Sequence, residues 1–243
     1  MADEIFTHPR LAAIYDALEP DRSDLDPYLE LARQLGARKV LDIGCGTGVF
    51  AQRLAEEGIE VVGLDPAEAL IEVARAKPGG DRVAWIRGDA TALPPLRVDL
   101  ATMTANVAQA IAAPAAWRTT LARAHRALRP GGHLVFETRV PAARAWERWN
   151  RADSYAVTAV PGAGAVESWV ELVAIDGPLV TFRWTYVFAA DGEVMTSDST
   201  LRFRERDEVE ADLAANGFVV QEVRDAPDRP GREFVFLARR PEE

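Results

Sequence analysis

The chain has 243 residues, 48% of them hydrophobic and 27% charged, an ordinary globular balance that excludes extended disorder and is long enough for one α/β core with an insertion. The formal net charge is −10; a field of that sign repels nucleic acid, no Lys/Arg-rich run overrides it, and no nucleic-acid partner is expected. One cysteine, Cys45, excludes an intrachain disulfide, and with only three scattered histidines beside it no metal site is expected.

The N-terminal "MADEIFTHPR" is acidic and lacks an apolar centre, so it is not read as a secretory signal. No apolar run approaches the roughly 20 residues of a membrane helix, and a soluble, cytoplasmic protein is expected. Residues 10–35 place Leu11, Ile14, Tyr15 and Leu18, then Leu29, Leu31 and Leu35, at helical spacings, and Gly36 ends the segment. Residues 1–36 are therefore expected to form an N-terminal helical segment. "KVLDIG" reads as a strand and "VFAQRLAEEG" as a helix capped by Gly58. "EVVGLD" is a second strand, and "PAEALIEVARAK" a helix with Pro66 in its first turn. "RVAWIRGD" and "RVDLATMTA" are strands three and four, "PAAWRTTLARAHRALRPGG" a helix, and "HLVFETR" strand five. Short strands alternating with helices predict βαβ units and a parallel sheet.

The pattern then changes. After a short helix in "VPAARAWERWN", three strand-like runs, "VESWVELVAI", "LVTFRWTYVFA" and "VMTSDSTLRF", are joined by Asp176-Gly177-Pro178 and by Asp191-Gly192, which predicts an antiparallel meander. Val180, Phe182, Trp184, Tyr186 and Phe188 share one face of the middle run, so that face must be buried on the main domain, a partner chain or a ligand. A helix ("RERDEVEADLAANG") and two strands ("FVVQEVRD", "REFVFLARR") close the chain. The expected division is a core of residues 37–140 and 205–243 with an insertion at 141–204.

Gly44, Gly46 and Gly48 lie where the first strand becomes a helix. Glycine permits positive φ and removes a Cβ that would hold a ligand off the backbone; the helix N-terminus adds unpaired N–H groups, and ligands of doubly wound sheets bind at such strand ends. The spacing is G-x-G-x-G, not the dinucleotide G-x-G-x-x-G, and Asp42 precedes it by two residues. An acid there opposes a pyrophosphate and suits an ammonium, which points to a ligand with a nucleoside and a positive group.

"VLDIGCGTG" resembles motif I of the class I S-adenosylmethionine (AdoMet)-dependent methyltransferases. The resemblance continues through Asp65 ending "VVGLD", through Gly88-Asp89-Ala90, and through "ALRPGG" at 127–132, and covers about residues 38–140. It implies a doubly wound, Rossmann-like α/β fold with a seven-stranded, mostly parallel sheet in the order 3-2-1-4-5-7-6, the seventh strand antiparallel. It also implies AdoMet as cofactor, held by Tyr15, Asp42, Gly44, Cys45, Gly46, Gly48, Asp65, Pro66, Asp89, Ala90, Asn106 and Gln109. In that reading Asp42 orients the methionine ammonium, Asp65 meets the ribose hydroxyls and Asp89 the adenine amine. Simpler structural roles stand beside these: a helix cap for Asp65, a turn for Asp89, packing for Tyr15, and an N-cap and a surface amide for Asn106 and Gln109. Cys45 is a small loop residue, not an activated nucleophile.

Methyl transfer needs an acceptor atom held in line more than a dedicated catalytic group, and a general base only for some acceptors. Candidates are His8 as a base, and Glu137 with Arg139, which share a sheet face and would position an acceptor or form an ion pair. His125 and His133 read as structural. The β insertion would roof the acceptor or make a homodimer interface. A small-molecule acceptor is expected, its identity and methylated atom being open. An NAD-type oxidoreductase and a non-catalytic AdoMet-binding protein are the alternatives.

Overall fold

The computed structural model describes residues 3–242. Two short helices, α1 (Glu4–Thr7) and α2 (Pro9–Leu18), and α3 (Asp26–Gln34) precede the sheet. The core then runs β1 (Lys39–Ile43), α4 (Val49–Glu56), β2 (Glu60–Asp65), α5 (Glu68–Ala76), β3 (Val83–Arg87), β4 (Val98–Met103), α6 (Val107–Ala110), α7 (Pro114–Ala127) and β5 (Leu128–Arg139). The insertion holds α8 (Arg151–Ser154), β6 (Ala156–Val160), β7 (Gly164–Asp176), β8 (Leu179–Phe188) and β9 (Val194–Arg202). The chain then returns to the core with α9 (Arg206–Ala215), β10 (Val219–Asp225) and β11 (Glu233–Arg239).

The large sheet has the order β3-β2-β1-β4-β5-β11-β10. Its first five strands are parallel, and β11 runs antiparallel between β5 and β10, which is the order the resemblance implied. The central strands are buried on both faces. Leu41, Val62 and Phe136 pack with Trp117 and Leu121 of α7 and Val209 of α9, while Val40, Val61 and Val135 pack with Leu29 of α3 and Phe50 and Leu54 of α4. Helices on both faces explain why these strands read as continuous apolar runs.

Three local readings differ from the sequence expectation. The insertion sheet has four strands, β6-β7-β8-β9, all antiparallel, not three; β6 was not seen because it is short, at the sheet edge, and mostly exposed. "VPAARAWERWN" is not a helix but two 3₁₀ turns, Pro141–Ala143 and Ala145–Arg148, interrupted at Arg144 in a left-handed conformation (φ 44°). Strand β5 begins at Leu128, ahead of "HLVFETR". Gly131 (φ 79°) lets that start turn, and Gly131 and Gly132 exchange backbone hydrogen bonds with Arg240 at 2.9 and 2.8 Å.

The N-terminal helices lie between the insertion and the core. Ile5, Leu11 and Ile14 are buried against Val166, Tyr186 and Phe188 of the small sheet, and Ala12 against Ala67 and Leu70 at the start of α5. Burial of each large aliphatic side chain stabilises by roughly 1.5–3 kcal/mol, so this lid is part of the fold. The aromatic face of β8 is thus covered from within the chain: Tyr186 and Phe188 by the lid, Val180 and Phe182 by Trp146, Trp149 and Phe203.

Candidate functional site

A cavity of about 540 Å³ opens at the carboxyl ends of β1–β4. Its floor is the glycine loop. Gly44, Gly46 and Gly48 all have positive φ (72°, 54° and 77°), but for different reasons. A Cβ on Gly44 would lie 2.5 Å from Val107, and one on Gly48 2.3 Å from the Trp85 ring, whereas one on Gly46 would meet only Leu70 at 4.0 Å. Gly44 and Gly48 are therefore dictated by packing, and Gly46 alone faces open space. Gly48, expected at the ligand, starts α4 and does not line the cavity.

Asp42 sits below the loop at 1% exposure. Its Oδ1 accepts from the Thr102 hydroxyl at 2.9 Å across the β1–β4 pair; its Oδ2 is buried and has no partner. Burial, reinforced by the nearby Asp65, pushes its pKa up to about 7, against the Thr102 bond and Arg22. Asp65 ends β2 and takes the backbone N–H of Ala67 on Oδ1 (2.8 Å) and of Gly46 on Oδ2 (2.9 Å). It thus fixes the glycine loop to the start of α5; burial raises its pKa and those two bonds oppose the rise. Asp89 closes a turn with Thr91, accepting from its hydroxyl and N–H at 2.5 and 2.8 Å, contacts that lower its pKa. Pro66 and Ala90 line the same space, as does Cys45, whose thiol burial holds far from ionisation.

The lid closes the cavity with Phe6, Tyr15 and Arg22. Tyr15 packs edge-on to Phe6 at 5.9 Å, and burial pushes its phenol up to about 12. The lid is tied to the glycine loop: Thr47 donates to Asp16 at 2.5 Å, and Lys77 bridges Asp16 and the Thr47 carbonyl. Phe6, Arg22 and this Asp16 tie were not foreseen; Arg22 lies in "PDRSD", between the two apolar-periodic runs of the N-terminal segment, and nothing in its spacing links it to Asp42.

A second cavity of about 270 Å³ lies between the lid and the small sheet and shares Asp3, Phe6, Tyr15, Ala105 and Ala110 with the first. Phe182, Trp184 and Tyr186 line it, with Arg139 and Glu19. Ala105 and Asn106, where the two spaces meet, both have positive φ (56° and 62°), a conformation non-glycine residues hold only when their surroundings enforce it. Here Glu137 accepts from the Asn106 N–H at 2.6 Å, and the Asn106 amide donates to Glu233 at 3.1 Å.

Several expected site residues stand elsewhere. Asn106 lines the second cavity but not the first, because its left-handed backbone and its bond to Glu233 aim the side chain toward β11. Gln109 is fully buried and lines neither; its carbonyl accepts from the Arg139 backbone at 3.2 Å and guanidinium at 3.4 Å. Glu137 and Arg139 form no ion pair. Glu137 is taken by Asn106 and the Tyr28 hydroxyl, and burial pushes its pKa up to about 7. His8 is not at either cavity: it caps α2, its Nδ1 accepting from Arg10 N–H at 3.2 Å.

Residues 40–132 match the family model described as a methyltransferase domain. A ubiquinone biosynthesis O-methyltransferase from Saccharophagus degradans is 31% identical over 147 residues, 56% of this chain and 61% of that protein. A malonyl-[acyl-carrier protein] O-methyltransferase from Erwinia pyrifoliae is 37% identical over 114 residues, 45% of this chain and 40% of that one. The chain spans about half the length of the curated relatives it matches. Among solved structures, an S-adenosylmethionine-dependent methyltransferase from Clostridium acetobutylicum superposes with TM-score 0.75 at 16% identity, covering 96% of this chain and 98% of that one. SAM-bound CalS10, an amino pentose methyltransferase from Micromonospora echinaspora, gives 0.71 at 24% identity, covering 94% and 95%. Identities that low establish the fold, and the methyltransferase-domain match covers residues 40–132 within it. Residues 40–132 are a methyltransferase domain by that match, and the chain shares its fold with S-adenosylmethionine-dependent methyltransferases.

Proposed function

We propose that this chain transfers a methyl group from AdoMet, bound over the glycine loop, to a small molecule held under the insertion sheet. The observation that carries the reading is the buried, unpartnered Asp42 Oδ2 in a cavity whose charged lining is four carboxylates (Asp3, Asp42, Asp65, Asp89) to one guanidinium (Arg22). An isolated buried carboxylate oxygen is costly unless a donor meets it. AdoMet brings an ammonium and a sulfonium against one carboxylate, so its charge complements this lining; a pyrophosphate would meet mostly repulsion. Asp42 is the partner for the ammonium and Arg22 for the carboxylate. Asp65 keeps lone pairs for the ribose hydroxyls beyond its two backbone bonds, Asp89 serves the adenine edge, and Gly46 admits the ligand to the backbone.

When bound, AdoMet supplies an electrophilic methyl on a positively charged sulfur. The chain's own task is to bring an acceptor atom in line with it and exclude water. Tyr15, Phe6 and Ala105, shared by both cavities, mark the passage between donor and acceptor. No histidine lines either cavity among the described residues, so positioning carries most of the rate in this reading. The donor half is tested by calorimetric titration with S-adenosylhomocysteine, and transfer by labelled AdoMet against a panel of small acceptors; donor binding with no transfer to any acceptor would leave a binding protein only.

The exposed Val157 of β6 and Leu172, Val173 and Ile175 of β7 support a homodimer through the small sheet; a monomer mass in sedimentation velocity would remove that part. No helix among the described residues is long and apolar enough to cross a membrane.

A further inference from the structure

Arg139 ends β5 and reaches the second cavity. Its guanidinium is largely buried, lies 5.9 Å from the Trp149 ring centre and is steadied by Gln109 at 3.4 Å. Among the described residues no carboxylate lies within ion-pair distance of it. The two acids nearest along the strands are already engaged: Glu137 by Tyr28 and Asn106, and Glu233 by Arg229 at 3.0 Å and Asn106. The acids in the cavity wall are differently placed. Glu19 is exposed to solvent, and Asp3 is hydrogen-bonded to Ser199. A guanidinium offers five N–H donors in a fixed fork suited to a carboxylate or phosphate; the contacts here use one group of that fork. Burial pulls its pKa below the usual arginine value, helped by Arg229 and against the attraction of Glu233, Glu137 and Glu19, none of which forms an ion pair with it. The rest of the wall is the aromatic face of Phe182, Trp184 and Tyr186, which takes a flat apolar body.

We propose that Arg139 selects acceptors bearing an anionic group, a carboxylate or phosphate, on a small apolar or aromatic body that lies on the β8 face. This rests on the second cavity being the acceptor site. The anion is the handle by which the acceptor is held, and Arg139 touches it directly while Gln109 and Trp149 hold the guanidinium in place.

The test uses four probes of similar shape on the full chain loaded with S-adenosylhomocysteine: phenylacetate, phenyl phosphate, the neutral phenylacetamide and the cationic phenethylamine. Affinities are read by ligand-observed NMR. Phenylacetate, phenyl phosphate or both should bind at least about ten-fold more tightly than the amide and the amine, the scale of one charge-assisted hydrogen-bond pair; which anion leads separates the two sources. In Arg139→Gln that preference should shrink to within about two-fold, while the affinity for S-adenosylhomocysteine is retained and shows that the variant is folded; Arg139→Lys should keep part of it. Equal binding of anion and amide by the wild type, tightest binding by phenethylamine, or a preference that survives Arg139→Gln would overturn the proposal. If S-adenosylhomocysteine itself fails to bind, the donor reading fails, yet the anion preference is still measurable on the free protein.

Discussion

Replacing Asp42 by Asn removes a charge and leaves the side chain's size unchanged. In the folded chain the carboxyl's pKa is about 7, against its usual 3.8, because burial outweighs the Thr102 hydrogen bond. An acid whose pKa rises on folding makes the folded state progressively less stable as pH climbs from the unfolded value to the folded one. The slope is about 1.4 kcal/mol per pH unit per group. The penalty is absent below about pH 4, builds between 4 and 7, and reaches about 4 kcal/mol above 7. Asn escapes it, and its carbonyl still accepts from Thr102. Ligand-free Asp42→Asn should therefore be more stable than the wild type by about 4 kcal/mol at pH 8 and about 2 kcal/mol at pH 5.5, read by urea unfolding with unchanged m-values. The same change should weaken S-adenosylhomocysteine binding at pH 8 by about ten-fold or more, since the ammonium loses its counter-charge. Because the ammonium needs the ionised acid, wild-type affinity should fall as pH drops below 7, and the Asn variant's should not. No stability gain at pH 8, or an equal gain at both pH values, would refute the reasoning.

The glycines should separate by role. Gly46→Ala should cost about 1 kcal/mol of stability, the left-handed penalty alone, and weaken S-adenosylhomocysteine in titration. Gly48→Ala should cost about 2–4 kcal/mol through its clash with Trp85, seen as a lowered Tm, with affinity kept where the protein remains folded. His8→Ala should lose about 1 kcal/mol, the worth of a helix cap, and leave the pH profile of methyl transfer unchanged; loss of the fall in activity at acidic pH would return His8 to the chemistry as a base. Glu137→Ala strands the Tyr28 hydroxyl and the Asn106 N–H, so chemical denaturation should show about 2–4 kcal/mol lost while S-adenosylhomocysteine affinity is kept. Asp16→Ala should release the lid from the glycine loop, raising amide exchange in α2 before β1.

The parts legible in the sequence were those written in adjacent residues. The apolar runs around Leu41, Val62 and Leu100 pointed to a parallel sheet; the glycine spacing after Asp42 and the acids at strand ends carried the family resemblance, and it was that resemblance which implied the strand order and the ligand space over the glycine loop. What escaped depended on tertiary geometry. Asn106 and Gln109 look like loop amides beside a site, but two successive left-handed residues turn Asn106 away, and Gln109 is drawn inward to Arg139. The pairing of Glu137 with Arg139 followed from their shared face; Tyr28, more than a hundred residues earlier, takes the carboxylate instead. Gly48 looked like a ligand glycine because the ring it accommodates, Trp85, belongs to a strand two βα units away. His8 was ambiguous because an imidazole nitrogen can accept a helix-capping N–H as readily as a substrate proton, and the sequence does not show which it meets.

The most direct measurement is calorimetric titration of the wild type, Asp42→Asn and Asp65→Ala with S-adenosylhomocysteine and, separately, with NAD. S-adenosylhomocysteine should saturate a single site on the wild type and bind far more weakly to both variants, with no heat from NAD. Saturation by NAD without S-adenosylhomocysteine binding, or S-adenosylhomocysteine binding that neither substitution weakens, would contradict the placement of the donor over Asp42 and Asp65.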